Sequence, residues 1–104
     1  METVKADCLV IGAGPGGYAA AWAAAERGRR VQLIEQTPHL GGVCLHHGCI
    51  PSKALLHATA LIREAKALSP QRGIEFGEPT IKLETLRAWI RSIVERLEQG
   101  IRSV

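Results

Sequence analysis

The apolar positions of this chain fall into short continuous runs near its start and a helical stripe near its end. Cys8-Leu9-Val10-Ile11 is unbroken and stops at Gly12, which suits a strand buried on both faces of a parallel sheet. Val31, Leu33 and Ile34 make a second such run, ending at Glu35. Between them, Pro15 to Arg27 is dominated by alanine, the strongest helix former, and Gly28 offers the stop that a helix end requires. Strand, helix and strand within about thirty residues predict a βαβ unit.

The rest of the chain is helical with interruptions. Gln36 to Gly42, with Pro38 and the pair Gly41-Gly42, predicts a loop. Ser52 to Leu68 predicts a helix begun by Pro51 and broken by Ser69-Pro70 and Gly73. Ile74 to Phe76 suggests a short strand before a turn at Gly77 and Pro79. From Glu84 to Arg102, the residues Leu86, Trp89, Ile90, Ile93, Val94, Leu97 and Ile101 recur at helical spacing. A helix there should lead into another strand, and none follows. The fold class is therefore α/β, an incomplete doubly wound sheet, with residues 1–104 forming a portion of one domain.

Gly12-Ala13-Gly14-Pro15-Gly16-Gly17 matches G-x-G-x-x-G at the junction of predicted strand and helix, the context in which this pattern cradles phosphate. Gly12 permits the tight turn. Gly14 has no Cβ, so a pyrophosphate can approach the backbone, and Gly17 lets the helix lie close on the strand. Pro15 loses nothing near a helix start, and with Gly16 it lies where the first-turn N–H groups and the positive end of the helix dipole gather. Glu35 lies 18 residues past Gly17, at the end of the second strand. A carboxylate there accepts hydrogen bonds from an adenosine ribose and repels a 2′-phosphate. The turn itself does not distinguish FAD from NAD. Tyr18 and Trp22, four apart, read as packing residues, and Cys8 as an inert thiol inside a strand.

Composition and charge narrow the field. The chain has 104 residues, 46% hydrophobic and 22% charged, with a formal net charge of +3. The basic residues are scattered, the longest run being Arg29-Arg30, so a clustered nucleic-acid footprint is lacking. No stretch approaches the ~20 apolar residues of a membrane span, and the polar opening from Met1 to Asp7 does not resemble a signal or transit peptide. A cytoplasmic protein is the expectation. Three cysteines in such a chain favour metal or redox chemistry over a structural disulfide framework.

Two of those cysteines lie in Gly41-Gly42-Val43-Cys44-Leu45-His46-His47-Gly48-Cys49-Ile50-Pro51-Ser52-Lys53. With His46 and His47 the pair could ligate a metal, but the second pair of ligands that tetrahedral zinc sites show is missing, and neither His39 nor His57 supplies it. No metal site is assigned on this basis. As a disulfide, the pair could not sit in one regular helix. Positions i and i+5 stand roughly 8.6 Å apart there, and a disulfide needs less than about 7 Å. Gly48 and Pro51 favour a break. A tight loop makes such a bond easier to reduce, and a following helix dipole favours the thiolate.

The run Cys44 to Leu56, CLHHGCIPSKALL, resembles the redox segment of the pyridine nucleotide–disulfide oxidoreductases. Its ending, GCIPSKALL, is most similar to the branch that oxidises dihydrolipoyl groups. Glutathione reductases typically carry a second lysine at the Ser52 position, and mercuric reductases usually differ after Lys53. The similarity extends through Glu64-Ala65-Lys66-Ala67-Leu68 and Gly77-Glu78-Pro79. It looks closest to the bacterial members that serve 2-oxo acid dehydrogenase complexes.

The resemblance implies a Rossmann-like FAD-binding domain. Cys44 would be the interchange thiol, which attacks the disulfide of a bound lipoyl group. Cys49 would be the thiol lying against the flavin, and Lys53 would steady the reduced flavin. Gly42, Val43 and Gly48 would join Gly12, Gly14, Pro15, Gly16, Gly17 and Glu35 along the cofactor. Family chains run to several hundred residues. Their NAD motif, the remainder of the flavin pocket and the dimerisation region, whose His–Glu pair serves the partner subunit's thiol, would lie beyond Val104. The implied partners are a lipoyl domain and a second copy of the chain. His46-His47 departs from the family, where asparagine commonly stands first. The competing expectations are an inactive βαβ fragment, or a related reductase of the mercuric or glutathione type.

Overall fold

The computed structural model describes residues 1–104. Strand β1 (Cys8–Ile11) and strand β2 (Val31–Ile34) pair in parallel, with Cys8 opposite Val31 and Ile11 opposite Ile34. Helix α1 (Pro15–Glu26) connects them and packs on both. Its end shows why Gly28 was needed. Gly28 takes φ 76°, its N–H donates to the Ala25 carbonyl, and the Arg29 N–H reaches back to the Ala24 carbonyl. This pair of bonds, with a left-handed glycine between helix and strand, satisfies the last carbonyls of the helix. Just before β1, the Asp7 carboxylate accepts from the Arg30 backbone N–H at 2.9 Å and from its guanidinium at 2.8 Å. The Arg30 contacts hold the Asp7 carboxyl below its ordinary pKa.

The second half is helical. Helix α2 (Gly42–His47) is followed after one residue by α3 (Cys49–Ala67), then a 3-10 turn at Pro70–Arg72 and helix α4 (Leu83–Ser103). Helix α4 rests on α3 and α2, so only α1 covers the sheet, and on one face.

Three expectations change here. The helix placed at Ser52 begins at Cys49, because Pro51 falls in the first turn, where a missing N–H costs nothing. Gly42, placed at the end of a loop, opens α2. Ile74 to Phe76 is not a strand. Nothing pairs with it, and an unpaired strand leaves its backbone groups to water.

Burial on both faces of the strands is also not realised. Leu9 (57% exposed), Ile11 (80%) and Ile34 (51%) point away from α1, while Val10 lies under it. Only six residues are buried, among them Ala13, Ala21, Leu45, Ala54 and Val94. The chain exposes 8254 Å², against about 5,700 Å² for a compact protein of this mass. Its radius of gyration is 20.3 Å, against about 13 Å for a compact chain of this length.

Candidate functional site

Ala13, fully buried, is where the three segments of the site meet. Its N–H donates to Glu35 Oε2 at 2.9 Å, and its carbonyl accepts from the Gly41 N–H at 2.8 Å. One residue back, the Gly12 N–H donates to the Ile34 carbonyl at 2.7 Å. The turn after β1 is thus tied to the end of β2 on one side and to the segment opening α2 on the other. The glycines make this packing possible. Gly12 turns at φ 98°. A Cβ on Gly17 would overlap the Gly12 carbonyl, and one on Gly42, itself at φ 67°, would stand 2.8 Å from the Gly14 Cα. At Gly14 and Gly16, by contrast, a Cβ would meet no protein atom within 4 Å. These two face open space at the start of α1, whose first turn has neither a side-chain cap nor an acidic residue. Its free N–H groups and the positive end of its dipole are therefore available to an anion.

Glu35 is half-buried and braced from both sides. Oε1 accepts from the Thr37 N–H at 3.1 Å while Oε2 takes that of Ala13. These backbone donors, Ala13 first, hold its carboxyl below the ordinary pKa, so it is an anion at neutral pH. A carboxylate has about four acceptor positions, so a further donor can still be received.

The cysteine segment folds as two helices broken at Gly48, which takes φ −129° and ψ −108°. That break brings the Cα atoms of Cys44 and Cys49 to 4.8 Å, and the two are joined in a disulfide. The departure from regular helix required by their spacing is located at this one residue. A Cβ on Gly48 would press on the Val43 carbonyl at 3.2 Å and on the Cys44 Cα at 3.3 Å. Cys49 is the first residue of the 19-residue helix α3. Lys53, exposed, follows one turn later on the same helix face.

A cleft of about 630 Å³ runs between these parts. Glu35, Gly42 and Val43 line one side, and Arg87 and Arg91, one turn apart on α4, line the other. Sequence reasoning missed the arginines, since nothing in a scattered basic residue says which cleft it will face. It also missed Ala13, whose contribution is entirely backbone.

The model of the pyridine nucleotide-disulphide oxidoreductases matches residues 6–104, which include the glycine turn, Glu35 and the cysteine pair. The chain belongs to this family. Among curated members, the dihydrolipoyl dehydrogenase of Vibrio cholerae is 48% identical over 100 residues, 96% of this chain and 21% of that protein. That of Manduca sexta is 50% identical over 99 residues, 95% of this chain and 20% of the relative. Dihydrolipoyl dehydrogenase 3 of Haloarcula marismortui is 46% identical over 99 residues, again 95% of this chain and 20% of the relative. The chain spans about a fifth of the length of the curated relatives it matches. In a disulphide oxidoreductase this joining of the glycine turn to the cysteine segment through Ala13 sets the distance between that turn and the Cys44–Cys49 bond. No helix is long and apolar enough to cross a membrane.

Proposed function

We propose that this chain supplies the flavin-facing redox segment of a dihydrolipoyl dehydrogenase, which oxidises protein-bound dihydrolipoyl groups and delivers the electrons through FAD to NAD⁺. The observation that carries this reading is the Cys44–Cys49 disulfide at the junction of α2 and α3, in a segment whose Gly41 N–H donates to the Ala13 carbonyl of the glycine turn.

The residues present fit FAD. Gly14 and Gly16 leave room for a pyrophosphate at the uncapped start of α1, and Glu35 is an anion with acceptor capacity left for a ribose. Gly12, Pro15 and Gly17 shape that turn. Gly42, Val43, Gly48 and Lys53 continue the line toward the cysteines. When bound, FAD would accept the electron pair from the cysteine dithiol. NAD⁺ as final acceptor follows from the family, and no residue of this chain is assigned to it. The partners, a lipoyl domain and a second subunit, and a cytoplasmic setting belong to the same proposal.

The asymmetry of the disulfide supports the division of roles that the family resemblance implies. Thiol–disulfide exchange goes faster when the departing sulfur is the better thiolate. Cys49, first in a long helix, has the helix dipole to stabilise its thiolate; Cys44 sits inside a six-residue helix. A substrate thiolate therefore attacks Cys44 Sγ. The Sγ–Sγ bond breaks, Cys49 leaves as thiolate, and a mixed disulfide joins substrate to Cys44. The second substrate thiol then attacks the substrate sulfur of that bond, and the departing Cys44 sulfur takes up the proton that it loses. The substrate leaves as a cyclic disulfide, and the protein holds the electron pair as a dithiol.

Anaerobic titration of the full-length flavoprotein with dithiothreitol should produce a long-wavelength absorption band from a thiolate lying against the flavin. Cys49→Ser should remove the band, and Cys44→Ser should retain a thiolate at position 49 with its band. If both variants leave the reduced spectrum unchanged, the redox assignment is wrong. In steady-state assays the protein should turn over dihydrolipoamide with NAD⁺ in preference to glutathione or mercuric substrates, as Ser52 and the GCIPSKALL run suggest. A preference for glutathione disulfide would replace the substrate assignment while leaving the cysteine roles intact.

A further inference from the structure

Beside the disulfide segment, three side chains capable of ligating a metal, from different parts of the chain, meet at one point. His39 lies in the loop before α2, His46 in α2, and Glu98 near the end of α4. His39 Nδ1 is 3.5 Å and His46 Nε2 3.8 Å from Glu98 Oε2, and the three ligand atoms lie within 4.8 Å of one another. Around a tetrahedral Zn²⁺ with bonds of about 2.0–2.1 Å, ligand atoms stand roughly 3.4 Å apart. Both His–Glu separations are within a few tenths of an ångström of that spacing.

The carboxylate is held ready for this. Glu98 Oε1 accepts from the Leu40 N–H at 2.9 Å and from Arg102 Nη2 at 2.9 Å, which leaves Oε2 turned toward both imidazoles. Arg102 also donates to the Pro38 carbonyl, so the same guanidinium fastens the His39 loop to α4. Bonds of this kind orient a metal ligand from behind. Burial raises the Glu98 pKa, but the Leu40 N–H, Arg102 and His39 outweigh it, and the group stays anionic. The side chains of Glu98 and His46 are 12% and 18% exposed, whereas His39 is 62% exposed and forms the mouth.

We propose that His39, His46 and Glu98 form a transition-metal site of the Zn²⁺ class, with three protein ligands and a fourth position open to water. Imidazole and carboxylate together suit zinc, and the donor set is distinct from the cysteine pair. Two features limit its affinity. His46 Nε2 lies 2.7 Å from the Leu40 carbonyl, and a nitrogen donating there carries the proton. Coordination requires the other tautomer, with the proton on Nδ1, and gives up that bond. The Arg102 charge is also close. A bound ion would fasten the loop, α2 and α4 to one another, immediately beside the redox segment.

The test uses the full-length flavoprotein in its oxidised state, so that Cys44 and Cys49 offer no thiolates. Equilibrium dialysis against zinc chloride, with metal counted by atomic emission, should give one zinc held saturably by this cluster. Glu98→Gln and His46→Asn should each weaken binding by about tenfold or more. His39→Asn, at an exposed position where folding is not at stake, should do the same, while the Cys44→Ser/Cys49→Ser double variant, which offers no thiolate from the pair, should retain the zinc. The absence of stoichiometric zinc, or an affinity unchanged in His39→Asn and Glu98→Gln, would overturn the site. Neither result bears on the disulfide chemistry.

Discussion

Gly14→Val is expected to give a folded protein that has lost its flavin. The two halves of that statement come from one geometric fact. A Cβ at position 14 meets no protein atom within 4 Å, and the backbone there has φ −73°, which any residue adopts. The apoprotein therefore has no reason to change. The branched side chain would instead occupy the space in front of the first turn of α1, where the pyrophosphate is proposed to lie against free N–H groups. Blocking that approach should weaken FAD binding by at least about a hundredfold, or roughly 2.7 kcal/mol. The full-length variant should purify without yellow colour and with an apoprotein melt like that of the parent. Gly17→Val is the informative contrast. There the added Cβ would overlap the Gly12 carbonyl, a backbone atom that cannot swing aside, so α1 must lift from β1. Overpacking of this kind costs about 1–3 kcal/mol, and the loss should show in the melt of the apoprotein itself. A yellow Gly14→Val protein with normal flavin stoichiometry would remove the turn from the cofactor site.

The contrast also marks what can be read from the residues alone. The glycine turn is legible because two of its glycines answer constraints the backbone imposes, a positive φ at Gly12 and a close approach at Gly17. The break between Cys44 and Cys49 is legible for the same reason, since helix geometry forbids their pairing unless the helix stops. Ala13 is not legible: an alanine advertises nothing, and its two hydrogen bonds are made by backbone atoms that every residue has. The meeting of His39 and His46 with Glu98 is hidden differently. It depends on how α4 lies across α2, and that packing follows from an apolar stripe whose partner the stripe does not name. Ile74 to Phe76 shows the reverse failure, in which strand-like residues find no neighbouring strand and remain irregular.

The same shortage of neighbours leads to the expectation that residues 1–104 in isolation fold only marginally and do not turn over substrate. One face of the two-stranded sheet is covered by α1, and the other presents Leu9, Ile11 and Ile34 to water, each more than half exposed. Burying a large aliphatic side chain contributes about 1.5–3 kcal/mol. Three that remain more than half exposed forgo on the order of 3–5 kcal/mol, comparable to the lower end of the total stability of a domain, about 5–15 kcal/mol. Helix α4 does not supply the missing cover, because it packs on α2 and α3 and still leaves Trp89 and Leu97 exposed. Leu56, Leu61 and Phe76 add further apolar surface on the α3 side. Uncovered apolar area of this extent favours association. The purified 104-residue chain should therefore dimerise or aggregate, melt with weak cooperativity, and gain little from added FAD, because Glu35 and the turn at Gly14 would hold only part of that ligand. Sedimentation, a thermal melt with and without FAD, and an assay of NAD⁺-linked dihydrolipoamide oxidation measure each part. A monomer with a sharp melt and stoichiometric flavin would show that α1, α3 and α4 bury enough on their own, and any NAD⁺-linked turnover would show that the disulfide needs no further structure to work.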